Sequence, residues 1–413
     1  MTMPRGRCRF CGAPLRHTFV DLGAQPLANR YLEPGQLAEM EPFYPLHLYV
    51  CEACLLVQIE EIVSPAEIFT EYPYFSSYSE SWLVHARAFA EMAADRFHLD
   101  SGSLVVEVAS NDGYLLQYFR DRSIPVLGID PAANVAQAAV ARGIPTVVRF
   151  FGTQAARDLV AEGKRADLLI GNNVLAHVPD LNDFVGGLKA VLGPHGVITM
   201  EFPHLMRLIA EAQFDTIYHE HFSYFSFRTV TEVFRAHGLR IFDVEELPTH
   251  GGSLRIYAQH EDSGVQPLSY RVLELMQREQ ATGLGTLRVY LAFGERVREV
   301  KRHLLTFLIG VKEAGKSIVG YGAAAKGNTL LNYCGIGSDF LEYVADRSPH
   351  KQGRYLPGTR IPIVAPERIR ETKPDVVLIL AWNLKDEVME QLAYVRGWGG
   401  RFAVPMPEPE VVA

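Results

Sequence analysis

The sequence predicts an α/β protein: two doubly wound, mostly parallel sheets in series, behind a small N-terminal domain that needs a staple to fold. Three observations predict it. From residue 104 onward, short apolar runs alternate with helical stretches. Two strand-to-helix turns carry glycine, at 107–113 and 320–327. Four of the five cysteines form two Cys-x-x-Cys pairs near the N-terminus. A length of 413 residues suits two or three domains, and 48% hydrophobic with 21% charged residues is an ordinary globular balance.

Residues 1–70 hold both cysteine pairs and only broken apolar segments, too few for a large core. Residues 71–103 read as a bridge, an aromatic loop from Glu71 to Tyr78 and then a helix over 81–97 carrying Trp82, Phe89, Met92 and Phe97. Strands follow at 104–108, 126–130, 146–148, 166–170 and 197–200, with helices over 114–120 and 134–142. Two further strands at 239–244 and 253–258 lie close enough to end the sheet as a hairpin. Residues 265–314 are charged and helical in pattern. A second α/β unit starts at 317–322 and continues through 341–346 and 376–380. The domains expected are therefore 1–70, 71–263 and 264–413, the last including the helical linker.

A formal net charge of −8 without a long basic run argues against nucleic acid as a partner. No apolar run reaches bilayer length, and the N-terminus has no signal-peptide pattern. A cytoplasmic protein without a membrane partner is expected, and a monomer, because all three parts occur in one chain.

Cys8, Cys11, Cys51 and Cys54 offer four thiolates to one tetrahedral ion. Four thiolates close the shell, so the expected metal is a structural Zn²⁺ with no place for a catalytic water. Cys334 is expected to be a buried, unpaired thiol.

The turn Glu107-Val108-Ala109-Ser110-Asn111-Asp112-Gly113 lies where a nucleotide-derived cofactor approaches a doubly wound sheet. It departs from G-x-G-x-x-G, which weakens a pyrophosphate reading. S-adenosylmethionine has no phosphate and needs acceptors for its ammonium and ribose. Glu107, Ala109, Ser110, Asn111, Asp112 and Gly113 are the candidate cofactor residues of the turn. Asp130 and Pro131 end the second strand, and Asn172 and Asn173 follow the fourth.

Tyr218-His219-Glu220-His221 follows the fifth strand. His-x-His spacing puts both rings on one side of an extended segment, which leaves two chemistries open. One is a metal site. The other is a general base oriented by Glu220, with Tyr218 stabilising negative charge. The second glycine turn, with Lys326, suits a phosphate, and Asp346, Arg347 and Lys351 end the next strand. On pattern alone it fits a nicotinamide dinucleotide or a nucleotide-linked substrate.

Together these motifs resemble the sugar C-methyltransferases that act on nucleotide-linked 4-ketosugars in deoxysugar pathways. The resemblance spans nearly the whole chain. It rests on the cysteine pairs, E-V-A-S-N-D-G at 107–113, N-N-V-L-A-H at 172–177, Y-H-E-H at 218–221, H-G-G-S at 250–253 and G-Y-G-A-A-A-K at 320–326. It implies a class I S-adenosylmethionine-methyltransferase Rossmann-like domain between a zinc-binding domain and a second, substrate-holding Rossmann-like domain. It implies His221 as the catalytic base, with Tyr218, Glu220, His177 and Tyr72 in the same constellation. Phe75, Tyr78, Ser79, His250, Lys326, Asn328, Asp346, Arg347 and Lys351 become candidates for holding the sugar nucleotide, which the resemblance makes a thymidine diphosphate sugar. The implied reaction is methylation at C3. Methyl transfer to oxygen or nitrogen of a related sugar, or a nicotinamide-dependent oxidoreductase, are the alternatives.

Overall fold

A computed structural model describes residues 6–69 and 75–412, so Tyr72 lies outside the described residues. The chain divides into two compact units that do not follow sequence order. The first comprises 1–16, 51–205 and 222–286, and the second 17–50, 206–221 and 287–413.

The first unit is built on a seven-stranded sheet. Its strands are β1 (Val105–Val108), β2 (Val126–Asp130), β3 (Thr146–Val148), β4 (Ala166–Asn172), β5 (Leu192–Pro203), β6 (Leu239–Leu247) and β7 (Ser253–His260). Their spatial order is β6-β7-β5-β4-β1-β2-β3. Strands β1 to β5 pair in parallel, whereas β7 pairs antiparallel with both β5 and β6, so the expected hairpin ends the sheet. All four residues of β1 are buried, as for a parallel strand covered on both faces. The order reverses between β1 and β4, and a ligand crevice is expected at their carboxyl ends.

Helix Glu80–Arg96 buries Ala86, Phe89, Ala90, Ala93 and Ala94, a 3–4 spaced stripe, in a core with Phe119 and Tyr257. The Ser79 side chain caps it, accepting from Trp82 N at 3.3 Å. The next helix starts at Leu116 rather than 114. Ala109, Asn111 and Gly113 all take positive φ, and that left-handed turn uses the intervening residues.

The second unit holds a six-stranded sheet of β8 (Ile318–Tyr321), β9 (Val344–Ala345), β10 (Ile363–Val364), β11 (Val376–Ile379), β12 (Arg401–Val404) and β13 (Glu410–Val412). The order is β10-β9-β8-β11-β12-β13, with only the β13 edge antiparallel. The switch point falls between β8 and β11, and helix Ala325–Cys334 starts from the turn after β8. An antiparallel pair, His17–Gln25 with Tyr44–Val50, belongs to this unit. Phe19 stacks on Phe293 of helix Leu287–Glu313, with centroids 4.5 Å apart. The chain between the two cysteine pairs thus carries apolar residues that pack on this distant helix. The helical stretch expected over 265–314 is two helices, Tyr270–Ala281 in the first unit and Leu287–Glu313 in the second.

Candidate active site

Cys8, Cys11, Cys51 and Cys54 converge, all four sulfurs lying within 4.8 Å of one another. Cys8 Sγ and Cys54 Sγ are 3.5 Å apart, as are Cys11 Sγ and Cys51 Sγ. Zinc–sulfur bonds of about 2.3 Å in a tetrahedron place sulfurs at about this separation. Each pair sits on a tight knuckle. Gly12 N–H donates to Cys8 O and Leu55 N–H to Cys51 O, both at 2.9 Å, with positive φ at Gly12 and Leu55. Gln58 Nε2 donates to Cys8 Sγ at 3.2 Å, as suits a thiolate. The donor set fits a structural zinc ion. Among the described residues it is the one group of three or more His, Cys, Asp or Glu side chains that converge in this way, so the His-x-His segment forms no such site. Cys334 is buried and free, and burial pushes its thiol up to about 12.

At the first switch point the glycine turn folds back on the second strand. Asp130 accepts from the N–H of Asn111 at 2.9 Å and of Ala132, just past Pro131, at 2.8 Å. Gly128 is required beneath the turn, because an added Cβ would lie 2.4 Å from Ser110 Oγ. Both Glu107 carboxylate oxygens, Ser110 Oγ, Asp112 Oδ1 and Asn173 Oδ1 are buried with no hydrogen bond of ordinary geometry. Burial pushes the Glu107 carboxyl well above the usual range; the Tyr114 phenol opposes this in part, and Asp130 and Asp112 reinforce it. Buried polar atoms are normally satisfied, so this cluster awaits donors. S-adenosylmethionine offers an ammonium and ribose hydroxyls; a pyrophosphate offers only acceptors. The residues fit the former.

The loop before helix Glu80–Arg96 ties down the same turn. Ser76 N–H donates to Asn111 Oδ1 at 2.9 Å, and the Ser77 hydroxyl to Asp112 Oδ2, which also receives Arg142 at 2.9 Å. Phe75 and Tyr78, expected on the substrate, pack ring on ring 5.5 Å apart, and Tyr78 is exposed.

Beyond β4, Asn173 donates through its amide to His250 Nε2 at 3.2 Å, and Asn172 to Tyr114 Oη at 3.4 Å. His177 is half-buried, and desolvation of its ring, with His250 nearby, lowers it to about 4, so its imidazole is neutral at pH 7. Sequence reasoning missed the partners of Glu201. This carboxylate accepts from His85 at 2.9 Å, Arg255 at 2.7 Å and Thr249 at 2.8 Å. Burial raises its carboxyl, but His85, Arg255 and Thr249 outweigh that and hold it at about 2. Trp82 stacks on His85 with centroids 4.9 Å apart and meets His250 at 5.4 Å. Neither His85 nor Arg255 stands in a motif that could have marked it.

The Tyr218–His221 motif lies in the second unit, because residues 206–221 leave the first unit and rejoin it at Phe222. It is a turn rather than an extended segment, with His221 N–H donating to Tyr218 O at 3.0 Å. The two imidazoles therefore do not share a side. His219 Nε2 bonds Pro45 O at 3.2 Å, while His221 Nδ1 bonds Thr216 O at 2.9 Å. A carbonyl only accepts, so Nδ1 carries the proton of the neutral His221 ring and Nε2 is its basic nitrogen. Tyr218 lies against the ring, centroids 4.2 Å apart. Glu220 is buried and accepts from Asn29 Nδ2 at 2.6 Å, and burial pushes its carboxyl up to about 7.

At the second turn, Asp346 accepts from Ala323 N–H at 2.7 Å and Ser348 N–H at 2.8 Å, the same clamp that Asp130 makes in the first unit. Ala323 O receives Tyr31 Oη at 2.6 Å and Lys351 Nζ at 2.8 Å. Lys326 Nζ donates to Asn383 Oδ1 at 2.6 Å and lies 4.7 Å over the Trp382 ring. Asn328 donates to Ala28 O at 2.6 Å, and its Oδ1 is buried without a partner. Arg347 is exposed, 3.8 Å from Glu387.

An unpaired set of acceptors at the switch point of a β3-β2-β1-β4-β5-β7-β6 sheet defines a Rossmann-like methyltransferase domain whose cofactor is S-adenosylmethionine. Three family models match in series. They are a domain with a proposed zinc-binding role over 8–69, a methyltransferase domain over 83–244 and a C-methyltransferase C-terminal domain over 248–407. C-methyltransferase NovU of Streptomyces niveus is 37% identical over 412 residues, 99% of this chain and 97% of that relative. The chain belongs to this C-methyltransferase family. It is also similar to two solved structures. The Burkholderia thailandensis 1,6-didemethyltoxoflavin-N1-methyltransferase is 15% identical, with TM-score 0.37 over 52% of this chain and 98% of that one. The Synechocystis magnesium protoporphyrin IX methyltransferase is 14% identical, with TM-score 0.32 over 43% and 77%. Likenesses this distant carry no information on activity. Among the described residues, no helix is long and apolar enough to cross a membrane.

Proposed function

We propose that the protein methylates C3 of a nucleotide-linked 4-ketosugar, with thymidine diphosphate as the carrier, in deoxysugar biosynthesis. The observation that carries the reading is the tautomer of His221. Its Nδ1 is committed to the Thr216 carbonyl, which makes Nε2 the base. A carbon becomes a nucleophile only after losing a proton, and a C4 ketone acidifies the C3 proton. An imidazole with one nitrogen fixed to a carbonyl and the other left basic is a general base of the type that task needs.

In this reading His221 Nε2 takes the C3 proton. The C3–H electron pair moves into the C3–C4 bond, and the carbonyl oxygen gains the charge. Tyr218 donates to that oxygen. S-adenosylmethionine supplies an electrophilic methyl on a sulfonium, so C3–methyl formation balances methyl–sulfur cleavage. Glu107, Ser110 and Asp112 hold the donor end to end. The turn after β8, with Lys326, Asp346 and Lys351, holds the nucleotide. Membership in a C-methyltransferase family disfavours the alternatives of O- or N-transfer and nicotinamide oxidoreduction.

His221→Asn tests the reading with a thymidine diphosphate 4-ketosugar. Both deuterium exchange at C3 and methyl transfer are expected to fall by about 10²–10⁴-fold, with S-adenosylmethionine affinity unchanged by calorimetry. Retained exchange would remove His221 as the base. A product without a new carbon–carbon bond by NMR would remove the C3 assignment.

A further inference from the structure

The segment bearing His221 belongs to the second unit, beside the helix that follows β8 and the turn that follows β11. We infer that Asp215 and Trp382 are positioning residues for His221, fixing the one-turn segment Phe214–Thr216 whose carbonyl sets the imidazole tautomer. The inference rests on the reading of His221 as base, and adds the residues that set its geometry.

Every part of the segment is tethered. Asp215 Oδ2 accepts from Trp382 Nε1 at 2.7 Å. Thr329 Oγ1 donates to Ile217 O at 2.9 Å, and Thr216 Oγ1 to Gln213 O at 2.7 Å. The Phe214 ring meets Tyr333 edge-on at 5.2 Å. Trp382 follows β11, and Thr329 and Tyr333 lie on the helix after β8, so the elements flanking the switch point all grip the same turn. His221 Nδ1 then closes the loop on Thr216 O, the next carbonyl after Asp215.

Asp215 is a poor choice for stability. It is fully buried, and its Oδ1 makes no hydrogen bond of ordinary geometry. An apolar or amide side chain would cost less there. Burial pushes its carboxyl up to about 6, opposed by Lys326, by Trp382 and by the N–H groups of Asp215 and Thr216. Lys326 in turn lies over the Trp382 ring, 4.7 Å from its centroid, and donates to Asn383. A buried carboxylate joined through one tryptophan to a half-buried lysine, directly beside the acceptor of the base, is a costly arrangement with a positional use.

The test uses full-length Trp382→Phe and Asp215→Ala, which each remove one partner of the tether, with Thr329→Val as a milder variant should either fail to fold. Steady-state kinetics should show kcat lowered at least tenfold, with KM for both substrates within twofold of the parent. The double variant should be no slower than the slower single one, since both break the same tether. With ¹⁵N-labelled histidine, NMR should show His221 changing from a single Nδ1–H tautomer to a mixture. An unchanged His221 tautomer and kcat within twofold in folded variants would overturn the inference. The two readings fail separately. Loss of the base assignment appears as exchange surviving in His221→Asn, whereas the tautomer signal of Trp382→Phe reports positioning whether or not His221 is the base.

Discussion

Glu220 shows how a single buried residue can set a pH response. Burial lifts its folded carboxyl from 4.5 to about 7, with only Asn29 opposing. The folded state therefore holds the proton more tightly than the unfolded chain. Its contribution is fully present below pH 4.5 and is lost as pH rises through 7, a change of about 3 kcal/mol. Glu220→Gln should flatten denaturant-derived stability between pH 4.5 and 7 and raise the melting temperature at pH 8. An unaltered slope would show that Glu220 does not titrate in this window. At the cofactor turn, Glu107→Gln keeps the shape and turns one of two buried acceptor oxygens into an amide N–H. Affinity for S-adenosylmethionine should fall roughly tenfold or more, read by calorimetry, because an acceptor open to the cofactor is replaced by a donor.

At the scale of elements, the cysteine knuckles and the cofactor turn are the two devices that short sequence motifs specify. The knuckles bring four sulfurs within 4.8 Å. Cys51→Ser should lose the bound zinc by elemental analysis and lower the melting temperature by roughly 5 °C or more, since about 1 kcal/mol moves a domain this size by 2–4 °C. Retention of zinc at one equivalent would refute the four-sulfur shell. The turn depends on what lies beneath it. Gly128→Ala would drive a Cβ to 2.4 Å from Ser110 Oγ and 2.9 Å from Thr146 Oγ1. The turn would shift, and S-adenosylmethionine affinity should drop at least as far as in Glu107→Gln, while nucleotide affinity stays within twofold. Motifs located both devices because each depends on local chain geometry: each Cys-x-x-Cys closes a short hydrogen-bonded turn, and the acid that ends the second strand meets the first turn.

The molecule as a whole is organised less simply than the sequence suggests. Each glycine turn is clamped by the acid that ends the next strand, Asp130 on Asn111 and Asp346 on Ala323. Two ligand sites on two units are therefore expected to respond separately. In hydrogen exchange, S-adenosylhomocysteine should protect residues 105–113, 126–131 and 172–173, and thymidine diphosphate residues 320–328 and 346–351. The opposite pattern, or one ligand protecting both sets, would reject the division of labour. Helical periodicity through 265–314 masked a break near residue 284, where one helix closes the first unit and the next opens the second.

The sequence by itself determined the parallel sheets, the hairpin that ends the first, the zinc knuckles and the acid-lined turn. All follow from apolar periodicity and from residues close in the chain. Only the tertiary structure decided where the segments between them belong. Residues 17–50 and 206–221 pack on the C-terminal unit, because Phe19 finds Phe293 and Asp215 finds Trp382, partners more than 160 residues away. The same holds for Glu201 with His85 and Arg255, and for the tautomer of His221, which depends on a carbonyl that the His-x-His spacing does not reveal. Periodicity reports which face of an element is buried, but not against what; the partners of buried charge are fixed only when the chain closes on itself.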